Sequence, residues 1–209
     1  MDVKDQPGEP LPPIPRPESG DVLFREAPHC RDNASVSFFG DGWELYASSY
    51  KDAGDSLGEK ALEGSRPLDL VIFPIVFLYR HYLELRLKEM ILSGSELATG
   101  RGEIKKEHRL DVLWQEVRKL LTDLWQNDTS TEIAAVENCI AEICRVDRES
   151  MGFRYPVDLN GKRLIAGLEH VDVRNLRDVI RKIANFLDGS SSALSAHLDE
   201  VRSLHRETP

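Results

Sequence analysis

The chain is short of the features that mark the commonest membrane proteins and enzymes. Its longest apolar run, Leu70 to Tyr79, is ten residues and stops at Arg80, half of the roughly 20 that a bilayer-spanning helix needs. Cysteine is scarce: Cys30, Cys139 and Cys144 form no CxxC pair, which excludes a disulfide framework and a zinc ribbon and predicts reduced thiols in a cytoplasmic protein. The acidic, proline-rich start predicts no signal peptide. No P-loop, GxGxxG, HExxH or GxSxG occurs, so the common nucleotide, zinc and serine-hydrolase chemistries have no anchor. Asp147, Glu149 and Asp158 are spaced too irregularly for a metal loop, and neither metal nor cofactor is predicted.

Positive charge is also lacking overall. The net charge of −9 argues against a broad nucleic-acid footprint. The exception is residues 145–182, where 9 Lys and Arg face 6 Asp and Glu. A polyanion would be met there, although a local excess of this size also describes an ordinary solvated face.

Helical period dominates what is present. Six of the eleven prolines fall in residues 1–19, so a disordered tail is expected over residues 1–33. Trp43, Tyr46, Ala47, Tyr50, Ala53 and Ala61 predict a first helix with Gly54 and Gly58 as weak points. Ser65-Arg66-Pro67 predicts a stop and a new start, and a long central helix follows to Ser93-Gly94, with Pro74 marking its true start or a kink. His108 to Trp125 predicts a third helix. Thr129-Ser-Thr-Glu132 reads as a capping box before a fourth. Asp158-Leu-Asn-Gly161 reads as a turn in a small hairpin or ordered loop. A last helix is expected from Val171 to Gly189, and the serines at 190–192 suggest a break before an amphipathic tail over 189–209. The fold class is therefore all-α, a five- to six-helix bundle over residues 34–188 with an irregular insertion.

The central helix holds the candidate chemistry. Arg80, Glu84 and Lys88 recur every four residues and share one face, with His81 at i,i+3 from Glu84. Such a seam is either a site or a ladder that neutralises itself. His81 and His108 suit general acid and base roles, since free imidazole titrates near 6.5; alternatively His81 makes a fixed hydrogen bond and His108 caps its helix. Arg154 and Tyr155 suit a phosphate contact and a stacked base, or else the aromatic plugs the core from a loop.

The Trp43-Glu-Leu-Tyr46 helix, the stretch Phe77-Leu-Tyr-Arg-His-Tyr-Leu-Glu-Leu-Arg-Leu-Lys88, the glycine-containing polar loop and His108-Arg-Leu-Asp-Val-Leu-Trp114 together resemble divergent HEPN-type helical bundles over roughly residues 42–188. The resemblance implies an all-α bundle that homodimerises and works in stress response, toxin–antitoxin or phage defence, with RNA and a protein of the same system as partners. Many members are metal-independent ribonucleases with an Arg-x(4–6)-His motif. Arg101 with His108 and Arg163 with His170 match that spacing, but Gly102 and Leu164 follow where active members carry a polar residue. The leading expectation is a protein that acts on or binds RNA, with Arg80, His81, Glu84 and His108 as catalytic candidates and Lys88, Arg154 and Tyr155 as RNA contacts. Its rival is a non-catalytic helical interaction or dimerisation module in which the seam is structural.

A segment this rich in proline cannot bury enough apolar area to offset the entropy of ordering it. Deleting residues 1–19 should therefore leave the melting temperature within about 3 °C of the full chain, which differential scanning fluorimetry would check.

Overall fold

The computed structural model describes residues 14–37, 42–125 and 131–207, with side chains described to Leu204. The chain divides into two units, Met1–Gly40 and Asp41–Pro209. In the first, the described residues are irregular chain apart from a turn in which the Asp21 N–H bonds the Glu18 carbonyl at 3.1 Å and a 3-10 turn at Cys30–Asp32. The Asn33 side chain closes that turn by bonding both polar groups of the Ala27 backbone, at 2.7 and 3.0 Å.

The second unit is all-helical among its described residues. Its helices are α1 (Trp43–Leu62), α2 (Leu68–Thr99), α3 (Leu110–Leu124), α4 (Thr131–Val146) and α5 (Val173–Glu207). Helix α2 is the axis, packed against α1, α3 and α5, while α4 lies on α3. It buries Val71, Ile75, Tyr79, Tyr82, Leu83, Leu87 and Met90 on one face, and Ile91 with Arg80, Glu84 and Lys88 carries the burial on past half of the rod's circumference. Only a central position hides that much of the rod. Pro74 lies inside α2 on its exposed side. It forfeits one hydrogen bond without ending the helix.

Several boundaries differ from those expected, mostly at small residues. Helix α2 runs five residues past Gly94 and ends at Gly100, whose φ of 73° lets its N–H bond the Glu96 carbonyl at 2.8 Å. Gly94 is buried mid-helix because a Cβ there would strike the Leu120 side chain of α3. Gly54 and Gly58, read as weak points, are close-approach sites: a Cβ would stand 2.8 Å from the Tyr79 ring and 2.7 Å from the Arg177 side chain. They let α1 sit tightly on α2 and α5.

The break expected at 189–192 does not exist. Helix α5 is continuous, so residues 189–204 belong to the bundle and form no separate tail. Ser191 is buried, Ser192 Oγ returns its hydrogen bond to the Asp188 carbonyl at 2.9 Å, and Leu187, Leu194 and Leu198 carry the apolar stripe across the serines. Helix α3 begins two residues later than His108, because the Glu107 carboxylate takes the backbone N–H groups of His108 and Arg109 at 2.8 and 2.9 Å. The proposed cap at Thr129 lies outside the described residues. The insertion is a small turn: Asp158 Oδ1 accepts the N–H groups of Asn160 and Lys162, Gly161 has φ 77°, and Val157 forms an isolated antiparallel bridge with Arg163.

The glycines make opposite predictions. Gly54→Ala should lower stability by about 1–3 kcal/mol through overpacking against Tyr79. Gly189→Ala, in a helix with nothing within 4 Å of the new Cβ, should raise it by up to about 1 kcal/mol. Urea midpoints of the two variants check both signs.

Candidate functional site

The polar seam on α2 is an ion cluster inside the bundle. Arg80, Glu84 and Lys88 are 2%, 4% and 7% exposed, so none of the three charges is offered to a ligand in bulk water. Helical spacing stacks them: Arg80 Nη1 donates to Glu84 Oε2 at 3.2 Å and Lys88 Nζ to Glu84 Oε1 at 2.9 Å. The segment before α3 closes the cluster, with His108 Nδ1 at 2.8 Å from Glu84 Oε1 and the His108 carbonyl accepting from Arg80 Nη2 at 2.9 Å. Beyond α4, Asp147 Oδ2 stands 3.9 Å from Arg80 Nε, near enough to share its charge without a hydrogen bond. Arg80 Nε is thus the one buried nitrogen of the cluster with no acceptor.

Burial pushes the Glu84 carboxyl up, but hydrogen bonds from Lys88 and His108 outweigh it and hold the group below its ordinary value. It is ionised in the folded protein. His81, the remaining α2 candidate, stands apart from these bonds. Its ring meets Tyr50 edge-on with centroids 4.4 Å apart and stacks on Phe77 at 5.8 Å. Burial lowers its imidazole below the usual value, more than the Glu84 charge raises it. His81 is therefore neutral near pH 7.

The candidate residues thus separate into two groups. Arg80, Glu84, Lys88 and His108 form the buried cluster, and the His108 imidazole turns to Glu84 instead of capping α3. Its side chain is 69% exposed, the only member of the cluster that reaches solvent. His81 leads to a second group through Phe77, over which the Arg154 guanidinium lies at 5.9 Å, with Tyr155 on the same guanidinium at 5.8 Å. Lys88, expected to touch RNA, is spent on Glu84. Arg101, Arg163 and His170, the other members of the spaced Arg and His pairs, are exposed.

Two clefts of about 210 and 320 Å³ lie elsewhere, one lined by Leu121, Trp125, Ile133 and Phe186, the other by Gly94, Lys105, Glu116 and Leu120. Neither includes a seam residue. Among the described residues, no group of three or more His, Cys, Asp or Glu side chains is placed to hold a metal.

A buried cation outside the seam escaped the sequence reading. Arg86, 3% exposed, donates to Glu89 at 2.6 Å and lies 2.9 Å from Asp188 of α5, though off the hydrogen-bond direction of its Nε. Tyr82 OH donates to Asp188 at 2.9 Å. Burial, then the Asp188 charge, pushes the Tyr82 phenol well above its usual value. Tyr82 and Arg86 lie four residues apart on one α2 face, a spacing that could have flagged them; the partner Asp188, 106 residues away from Tyr82, had no local signal.

These geometries set two measurable outcomes. Arg80→Ala leaves Glu84 and Asp147 facing a vacated site and should cost about 3–5 kcal/mol in denaturant unfolding. Because the Glu84 carboxyl is depressed in the folded state, its contribution is present above the unfolded value near 4.5 and disappears as pH falls through the lower folded value. Glu84→Gln should flatten that part of the stability profile on the acid side of pH 4.5. Comparison of the chain with protein-family models, with curated proteins and with solved structures finds no match.

Proposed function

We propose that this chain is a non-catalytic helical interaction module of HEPN-like build, in which the Arg80–Glu84–Lys88 seam locks the bundle. One observation carries the reading: all three seam charges are buried and satisfied mainly by one another, by His108 and by Asp147. A catalytic arginine must reach a phosphate and a catalytic histidine must exchange protons with substrate. Here Arg80 is enclosed, Glu84 is ionised and shared by three donors, and His81 is shielded by two rings. Each partner offsets part of the desolvation cost of another, as in a structural cluster.

RNA binding is a second reading, favoured by Arg154, which lies against two aromatic rings with Tyr155 51% exposed. Arginine and aromatic faces of that kind stack on unpaired bases. On this reading the chain binds RNA through its loop face and leaves it uncut.

Incubation of the purified chain with total RNA in EDTA tests both readings. Intact RNA is expected at every time point. Arg80→Ala should shift the denaturant midpoint and reveal no separable activity. Metal-independent cleavage that Arg80→Ala abolishes at unchanged stability would defeat the structural assignment of the seam.

A further inference from the structure

Arg154 is held as a prepared fork in the first turns after α4. Its Nε donates to the Ser150 carbonyl at 2.7 Å and its Nη2 reaches the Met151 sulfur at 3.2 Å, while the rings of Phe77 and Tyr155 flank the guanidinium. Contacts on this many sides remove most of the rotamer freedom that an arginine otherwise loses on binding. Among the described residues no carboxylate pairs with Arg154, and what sets it apart from other exposed, unpaired arginines such as Arg101, Arg145 and Arg163 is this set of fixing contacts.

The loop that aims it is built at a cost. Ser150 has φ 61° and is the one non-glycine residue with positive φ among the described residues, a conformation that persists only where surrounding structure fixes it. The Asp147 carboxylate does so by accepting the N–H groups of Met151 and Gly152 at 2.8 and 2.9 Å. Asp147 and Asp158 turn to backbone N–H groups, and neither makes an ion pair with the fork. The window 145–182 is the net basic part of a chain that carries −9.

Apolar surface runs on from this cation along α2. Leu70 and Phe73 are 72% and 50% exposed, and with Phe77 they follow i, i+3, i+7 along one stripe of α2. The Phe73 ring lies 6.5 Å from that of Phe153, which joins the stripe to the loop carrying Met151 and Tyr155. Scattered exposed apolar residues need no explanation, but a continuous stripe beside an unpaired guanidinium does.

We propose that this face, formed by Leu70, Phe73 and Phe77 of α2 with Met151, Arg154 and Tyr155, docks a peptide segment of a protein partner in which a carboxylate stands beside apolar side chains. The proposal rests on the interaction-module reading and gives that module its partner chemistry. The free edge of the Arg154 guanidinium takes the carboxylate, and the apolar side chains cover Phe73 and Tyr155. Acidic charge on the segment complements the basic window. A nucleic acid fits this face less well, because its affinity depends on several phosphate-neutralising cations and Arg154 is the one cation among these six residues.

The test is fluorescence anisotropy of the full chain with three labelled probes: the peptide Asp-Leu-Phe-Glu-Leu-Asp, its carboxamide counterpart Asn-Leu-Phe-Gln-Leu-Asn, and a short single-stranded RNA. The acidic peptide should bind saturably, with the carboxamide peptide and the RNA at least about tenfold weaker. Arg154→Gln, Arg154→Lys and Phe73→Ser should each weaken it about tenfold at unchanged melting temperature, the lysine because it keeps the charge and loses the fork. Arg118→Gln on α3 should change nothing. No saturable binding at millimolar peptide, equal binding by Arg154→Lys, tighter binding of the RNA, or a dimer in sedimentation that Phe73→Ser dissolves would each overturn the proposal. RNA left intact alongside a failed peptide titration overturns this inference alone, whereas cleaved RNA overturns the interaction reading beneath it.

Discussion

A single carboxylate, that of Glu84, sets where the surrounding chain can go. Taking a charge out of water costs several kcal/mol unless donors replace the lost hydration, and Glu84 receives them from Arg80, Lys88 and His108. Two of these come from its own helix and are guaranteed by spacing. The third arrives from the segment leading into α3, so any displacement of that segment exposes the carboxylate to a loss it cannot recover locally. Arg80 extends the same demand to Asp147 beyond α4. The register of α3 and the end of α4 are thereby tied to one helical turn of α2.

The loop face inherits its geometry from this arrangement. Asp147 both faces Arg80 and accepts two backbone N–H groups of the following turn, so the buried cluster and the exposed Arg154 are joined through one side chain. Phe77 joins them a second time, since it stacks on His81 and lies under Arg154. Interior electrostatics here shape a surface, and the exposed Arg154 is positioned in part by charges buried beneath it.

Much of the architecture was legible because periodicity is local. The start of α2 after Pro67, the stripe of α3 and the Asp158–Gly161 turn all follow from residues within a turn or two of one another. The errors share a cause. Gly94, Gly54, Gly58 and the serines after Gly189 look like breaks in a single strand of text, yet three of those glycines stand where Leu120, Tyr79 and Arg177 come close, and smallness served packing instead of flexibility. For the candidate site, spacing disclosed the seam itself but not its burial, because whether i,i+4 charges face a cleft or a core depends on what lies opposite. His108 and Asp147 were visible as residues; their convergence on one α2 face was not. The strained Ser150 and the pairing of Tyr82 with Asp188 had no sequence signal of their own.

Helix α5 closes the bundle over a long span of chain. Tyr82 meets Asp188, and Arg202 meets Glu96, each across 106 residues. Helices α1 and α2 are sequence neighbours and can pair as soon as both exist, whereas the wall that α5 supplies emerges from the ribosome only after α3 and α4. Until then the α5-facing side of α2, with Tyr82 and Arg86 on it, has neither its apolar cover nor the Asp188 carboxylate, and Arg86 is left with Glu89 of its own helix. Chains emerging at about 5–20 residues per second spend several seconds in that half-built state. That interval, and not the finished bundle, is where this protein is most exposed to aggregation and to the cell's chaperones.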